Sequence, residues 1–172
     1  RSASPQPKGS LVIIGGALRD DNDAVWTRIV QLAGGKNARI AVFASASASP
    51  ERAGSYLIER LNQHGANAFF VPVAERLDGS DVRVAAEDPA LVEAVRSAGG
   101  AYFSGGDQAR ITNALRRPDG SNTQLLDALW DMYRRGGVIA GSSAGAAIMS
   151  ATMFGHPRSV LGTLQHGVAD GR

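Results

Sequence analysis

Short apolar runs alternate with longer amphipathic stretches along this chain. A continuous apolar run that stops at glycine, proline or small polar residues is typical of a strand buried on both faces. Such runs cover residues 10–14, 39–43, 68–73, 101–104 and the segment that begins at Val138. Apolar residues at helical spacing predict helices that end near Leu32, span 51–63, begin at Pro89, follow Gln108 and span 123–135. This alternation predicts an α/β fold whose sheet is mostly parallel, with helices on both faces.

The same pattern predicts burial and the places where regular structure stops. In the helix over 51–63, the spacing directs Tyr56 and Leu57 toward the core. Pro72 cannot donate to a central ladder, so its run ends there or lies at an edge of the sheet. The polar segment 74–88 has no clear period, and no element is predicted in it.

The turns that follow the predicted strands are rich in glycine and serine. Gly15 and Gly16 follow the first strand, the small polar loop 44–49 follows the second, and the turn 105–108 follows the fourth. Right-handed crossovers bring the carboxyl ends of parallel strands to one edge of the sheet. We therefore expect these turns and Ser143 to converge on a candidate site at that edge.

Residues 141–145 read Gly-Ser-Ser-Ala-Gly between an apolar strand and a helical stretch. This Gly-x-Ser-x-Gly pattern is typical of a nucleophile elbow, in which a sharp turn exposes the serine hydroxyl at the start of a helix. Ser143 is the candidate nucleophile, and the main-chain N–H of Ala144 is a candidate oxyanion donor. A serine- and glycine-rich connection that merely caps the helix or binds an anion is the alternative.

A serine nucleophile needs a base. His156 and His166 follow Ser143 in the sequence and could fold back, but neither lies in a motif that favours it. His64, before a glycine, is interpreted as a residue at a helix end. Asp107 is interpreted as a charge at a helix N-terminus and not as a catalytic acid.

Composition narrows the function classes. The 172 residues suit one domain, and 44% hydrophobic residues suffice for a core. The net charge of +2 comes from 18 basic and 16 acidic residues that are interspersed, so no nucleic-acid partner is expected. Cysteine is absent and there are 3 histidines, so we expect no metal site. No dinucleotide or P-loop motif is present, so we expect no cofactor.

The ends of the chain give weaker information. Residues 1–8 carry two prolines and polar residues, and we interpret them as a flexible lead before a domain over 9–172. No apolar run approaches the roughly 20 residues that span a bilayer, so no membrane partner is expected. A secreted or periplasmic origin and a cytoplasmic one both stay open.

Taken together, four segments resemble cyanophycinase, a family of serine exopeptidases related to the aspartyl dipeptidases called peptidase E. They are the Gly15-Gly16 pair, the loop 44–49, and the segments 102–108 and 139–146. The resemblance implies a flavodoxin-like or class I glutamine amidotransferase-like sheet. It also implies a peptide substrate, with cleavage of β-aspartyl-arginine links through an acyl-enzyme.

The resemblance also implies roles for individual residues. By position, Ser143 is the nucleophile. Ala144 and the turn of Gly105 and Gly106 supply oxyanion N–H groups, and Gln108 lines the pocket for the aspartyl part of the substrate.

The resemblance is incomplete, because the family's catalytic histidine, its carboxylate partner and its substrate arginines come from a later part that this chain does not carry. We expect residues 9–172 to be completed by a C-terminal chain cut from the same precursor, and we expect a homo-oligomer. A fragment and a member without catalysis are the competing explanations. Two other functions stay open: a peptidase-E-like dipeptidase for α-aspartyl links, and a non-catalytic ligand-binding or assembly module.

Overall fold

Apart from one short helix, strands and helices follow one another along the chain in the order that the hydrophobic pattern predicts. The structure, a computed structural model, describes residues 9–14 and 23–142. The strands are β1 (Ser10–Ile14), β2 (Arg39–Phe43), β3 (Asn67–Val71), β4 (Gly100–Phe103) and β5 (Val138–Ser142). The helices are α1 (Asp23–Leu32), α2 (Pro50–Gln63), α3 (Val82–Ala85), α4 (Pro89–Arg96), α5 (Gln108–Leu115) and α6 (Gln124–Arg134).

The five described strands form one parallel sheet in the order β1-β5-β4-β2-β3. Phe103 of β4 lies opposite Phe43 on one side and opposite Gly141 on the other. Because all the pairs are parallel, the carboxyl ends of these strands share one edge, which we call the C-terminal edge. The β3 strand lies at the margin of the sheet and Pro72 follows it directly, which confirms the prediction made from that proline.

Each face of the sheet carries its own buried core. On one face, residues of α1 and α2 pack on alternate strand residues; its largest members are Trp26, Ile29, Ile40, Leu57, Leu61 and Tyr102. On the other face, α4, α5 and α6 cover a core whose largest members are Phe43, Phe103, Ile111, Leu115, Leu126, Leu129, Met132 and Ile139. Strand side chains alternate between the two cores, which is why the strands read as continuous apolar runs. The fold is the expected flavodoxin-like α/β arrangement with helices on both faces.

The prediction for Tyr56 is wrong, because 38% of this residue is exposed. The buried face of α2 runs through Gly54, Leu57 and Leu61 instead. A Cβ atom on Gly54 would overlap the ring of Phe70, so the absence of a side chain there lets the helix approach β3 closely. A glycine contributes nothing to an apolar pattern. The pattern therefore does not show that the face of α2 that carries Gly54 is the buried one.

The segment 74–88 contains one element that the sequence did not predict, the helix α3 of four residues. Its first turn is capped by the side chain of Asp81, which accepts a hydrogen bond of 2.9 Å from the N–H of Arg83. One turn of helix is too short to show a period of 3.6 residues, so pattern analysis cannot find it.

Candidate active site

The chain leaves two neighbouring strands toward opposite faces of the sheet. From β2 it passes into α2 on one face, and from β4 it passes into α5 on the other. Neighbouring strands whose connections diverge in this way leave a crevice at their carboxyl ends, where open α/β sheets bind ligands. The connections involved are residues 44–49, here called the β2 loop, and residues 104–107, here called the β4 turn.

The β2 loop and the β4 turn are fixed to each other through their main chains. The N–H of Ser104 donates to the carbonyl of Phe43 at 2.9 Å, and the N–H of Asp107 donates to the carbonyl of Ala46 at 2.9 Å. Gly106 has a φ of +143°, and a Cβ atom there would overlap the carbonyl oxygen of Ala46. Glycine is required at this position both by its backbone angle and by the approach of the β2 loop.

Gly105 and Gly106 are exposed at the tip of the β4 turn. Within the described residues, neither of their amide N–H groups has a hydrogen-bond acceptor. Two free N–H groups at a strand end are suited to bind an oxyanion. That this turn supplies such donors stays a prediction.

The helix that follows the β4 turn begins as predicted. Asp107 is the N-cap of α5, and its Oδ1 accepts a hydrogen bond of 2.9 Å from the N–H of Ala109. Its Oδ2 lies 3.9 Å from Nε of Arg110. The interpretation of Asp107 as a helix-end charge is confirmed. Gln108 is the first residue of α5, and its side chain lies outside the described part of the structure.

The strand that leads to the candidate nucleophile lies directly beside the strand that leads to the β4 turn. Gly141 of β5 is paired with Phe103 of β4, and β5 ends at Ser142. Ser143 and Ala144 lie outside the described residues, as do the Gly15-Gly16 pair, His156 and His166.

Two serines at the C-terminal edge are buried, and the sequence analysis did not single out either. The hydroxyl of Ser45, in the β2 loop, donates to the carbonyl of Val73. Ser104, the first residue of the β4 turn, is 7% exposed, and its Oγ has no hydrogen-bond partner among the residues that the structure describes. A serine directly after an apolar run is a weak signal of such a position, because only the packing of other segments shows whether its hydroxyl is satisfied.

Tyr102 lies in β4, two residues before Ser104, and packs on the face of the sheet that α1 and α2 cover. Its ring stacks on Trp26 at a centroid distance of 5.5 Å. Burial raises the pKa of the Tyr102 phenol above its ordinary value, since the phenolate would lose its hydration. Tyr102 therefore stays neutral at physiological pH and contributes packing, not charge, near the site.

His64 lies away from the candidate site. It is the C-cap of α2, which runs from the β2 loop back toward the start of β3, at the opposite edge of the sheet. Its Nδ1 lies 2.7 Å from the carbonyl oxygen of Arg60 and its Nε2 lies 3.0 Å from Oδ1 of Asp23. The interpretation of His64 as a residue at a helix end is confirmed.

The described residues contain neither a membrane-spanning helix nor a metal-binding cluster. None of the helices in 23–142 has both the length and the apolar character needed to cross a bilayer. In the same part of the chain, no three metal-ligating side chains lie close enough together to hold an ion.

The parallel sheet, the divergent connections and the glycine turn beside β5 define a flavodoxin-like α/β protein with its candidate site at the C-terminal edge. The family model described as "Peptidase family S51" matches residues 11–160 of the sequence. The chain belongs to peptidase family S51.

Similar proteins carry consistent names. The chain is 31% identical over 149 residues to a cyanophycinase of Geminocystis herdmanii (strain PCC 6308), a match that covers 86% of this chain and 51% of that protein. It is 30% identical over 150 residues to a cyanophycinase of Synechococcus elongatus, covering 86% of this chain and 43% of that protein. The chain thus spans about half the length of the curated relatives that it matches.

A solved structure is similar as well. The crystal structure of a peptidase from an acI-B1 Actinobacterium superposes with a TM-score of 0.65 at 26% identity. The superposition covers 83% of this chain and 57% of that one.

Proposed function

We propose that this chain carries the nucleophile part of a serine exopeptidase that hydrolyses β-aspartyl-arginine links of cyanophycin or related isoaspartyl peptides. The observation that supports it most is the match to family S51 over residues 11–160, which includes the Gly-x-Ser-x-Gly segment 141–145. The pairing of β4 with β5 supports it further, because it brings the glycine turn and the strand before Ser143 together.

In this proposal, the reaction has two steps, the acylation of Ser143 and the hydrolysis of the acyl-enzyme. Ser143 Oγ attacks the carbonyl carbon of the link while a base takes its proton, and the resulting oxyanion accepts hydrogen bonds from Ala144 and the glycine pair Gly105 and Gly106. The intermediate then collapses, the C–N bond breaks, and the base returns its proton to the leaving amine. Water hydrolyses the acyl-enzyme by the same steps, and Gln108 holds the aspartyl part of the substrate.

We further propose that the base is a histidine outside this chain, on a C-terminal chain cut from the same precursor. His64 is unsuited to the role, because its Nδ1 faces the carbonyl oxygen of Arg60 and its Nε2 faces the carboxylate of Asp23. It also lies at the end of α2, at the other edge of the sheet. In this proposal, the two chains assemble with each other, and a homo-oligomer of that assembly is the working enzyme.

The test uses the product of the complete coding region, with β-Asp-Arg and α-Asp-Arg as paired substrates. We expect turnover of β-Asp-Arg and a covalent fluorophosphonate adduct on Ser143. Ser143→Ala should abolish both and leave the circular dichroism spectrum unchanged, because elbows favour small side chains. Turnover of α-Asp-Arg alone would favour a peptidase-E-like specificity. A folded wild-type protein without adduct and without turnover would favour a non-catalytic module.

A further inference from the structure

Ser104 holds a hydroxyl that the proposed mechanism does not use. The residue is 7% exposed, and its Oγ is buried without a hydrogen-bond partner within 9–14 and 23–142, the described part of the chain. A buried hydroxyl without a partner has lost its hydrogen bonds to water and gained none in return, so such groups are rare and call for an explanation. An alanine here would avoid that cost, and the chain nevertheless carries a serine.

The position of Ser104 is fixed by its surroundings. Its own N–H is bonded to Phe43 of β2, and the turn that it opens is bonded to Ala46 through Asp107. Gly106 approaches the same carbonyl so closely that no side chain fits there. The main chain on both sides of Ser104 is thus held against the β2 loop, and its hydroxyl stays near the same place.

That place lies just beyond the end of β4, beside the end of β5. Phe103 is paired with Gly141 in the last pair between these strands, and the next residues along the two chains are Ser104 and Ser142. Neighbouring strands lie about 4.8 Å apart, a separation that a serine hydroxyl can bridge to main-chain atoms. Ser142 is the residue directly before Ser143.

We propose that Ser104 is a positioning residue, whose hydroxyl bonds to the main chain where β5 turns into the nucleophile corner in the catalytically competent state. The bond would hold Ser143 at a constant distance from the free N–H groups of Gly105 and Gly106. This inference rests on the proposed role of Ser143. Ser104 itself does not contact the reacting atoms.

Ser104→Ala in the complete enzyme tests it. We expect kcat for β-Asp-Arg to fall about 10- to 100-fold, as for other small misplacements of catalytic groups, with KM little changed. The rate of fluorophosphonate labelling at Ser143 should fall in parallel. The melting temperature should change little, because the hydroxyl is unpaired in the described part of this structure and the proposed bond belongs to the catalytically competent state. Ser104→Thr, which keeps the hydroxyl, should recover most of kcat.

Thr123→Val is the matched control. Thr123 is also a buried hydroxyl, but it is paired: its Oγ1 donates to the carbonyl of Leu115 at 2.7 Å and accepts from the N–H of Leu126 at 3.2 Å. Its loss should lower the melting temperature and leave kcat unchanged, because it caps α6 away from the β4 turn. The two variants therefore have opposite expected signatures.

Three results would overturn the inference. Ser104→Ala with wild-type kcat shows that the hydroxyl does not act on the nucleophile. A fall in kcat that is accompanied by a lower melting temperature shows an ordinary structural role. Ser104→Thr as inactive as Ser104→Ala shows that the hydroxyl is not the cause. Failure of the proposed function is distinguishable, since wild-type protein would then carry no label on Ser143.

Discussion

At the scale of single residues, Gly106 determines the shape of the candidate site. Its φ of +143° disfavours any residue with a side chain, and a Cβ atom would collide with the main chain of Ala46, which cannot rotate away as a side chain would. The contact fixes the separation of the β2 loop and the β4 turn. A change at this glycine should therefore affect both stability and the placement of the Gly105 and Gly106 N–H groups.

Gly106→Ala is expected to lower the free energy of unfolding by about 2–4 kcal/mol, the sum of backbone strain and a steric clash. Urea denaturation measures it. Gly120→Ala is the control, because Gly120 also has a positive φ, +86°, but nothing lies within 4 Å of the added methyl group. Strain alone should cost the control about 1 kcal/mol. Equal losses in the two variants would contradict the role assigned to the contact with Ala46.

The residues of the β4 turn show what local sequence can and cannot predict. The cap at Asp107 and the Gly105-Gly106 turn are local features that follow a strand, and both could be predicted from the order of residues. The contact with Ala46 and the unpaired hydroxyl of Ser104 depend on segments far away in the chain. No pattern within the turn itself encodes them.

At the scale of elements, buried parallel strands were the most predictable feature. The strands β1 and β2 have the predicted bounds, since an apolar run stopped by turn residues has few other interpretations. Helix faces were less predictable. The apolar spacing directs Tyr56 toward the core, because Gly54, on the buried face, carries no apolar side chain that would add to the pattern. The single turn of α3 was missed for lack of length.

A charge pair links the segment after α3 to the segment after α5. Nε of Arg117 donates to Oε1 of Glu87 at 2.9 Å, and Nη2 of Arg117 donates to Oε2 of Glu87 at 3.1 Å. Hydrogen bonds from this guanidinium lower the pKa of the Glu87 carboxyl below its ordinary value, against the opposing effect of burial. The N–H of Gln124, at the start of α6, also donates to Oε2.

Glu87→Gln should therefore destabilise the protein in a pH-dependent way. A lowered pKa in the folded state contributes stability above the unfolded value of about 4.3, and that contribution is lost as the pH falls through the folded value. At pH 7 we expect the melting temperature to fall by about 1–3 °C, as for a partly exposed pair. The difference from wild type should shrink below about pH 4.

The measurement is a series of thermal melts of both proteins between pH 7 and pH 3. Glu75→Gln, at an exposed position, is the control and should match the wild type. A Glu87→Gln deficit that stays constant over the whole range would show that packing, not the ion pair, is lost.

At the scale of the molecule, the segments of the candidate site and His64 lie at opposite edges of the sheet. The β2 loop, the β4 turn and the end of β5 meet at the C-terminal edge, whereas His64 lies with the end of α2 at the other edge. The only histidine in the described part of the chain thus lies at the edge of the sheet opposite to the end of β5. Sequence order could predict this separation, because α2 must return the chain to the start of the next parallel strand.

The source of the base is the remaining question at this scale, and two variants address it. His156→Gln and His166→Gln replace the other histidines of the chain. If the base comes from a separate C-terminal chain, neither change should alter kcat for β-Asp-Arg materially, whereas loss of a general base costs about 10²–10⁴-fold.

Intact-mass analysis and N-terminal sequencing of everything that copurifies complete the experiment. If the proposed precursor is cut, a second polypeptide from its C-terminal part should copurify with this chain in the active preparation. A fall of about 100-fold or more in either histidine variant, without loss of folding, would assign the base to this chain. The second polypeptide would then not be needed for proton transfer, and the crevice at the C-terminal edge would contain the whole catalytic pair.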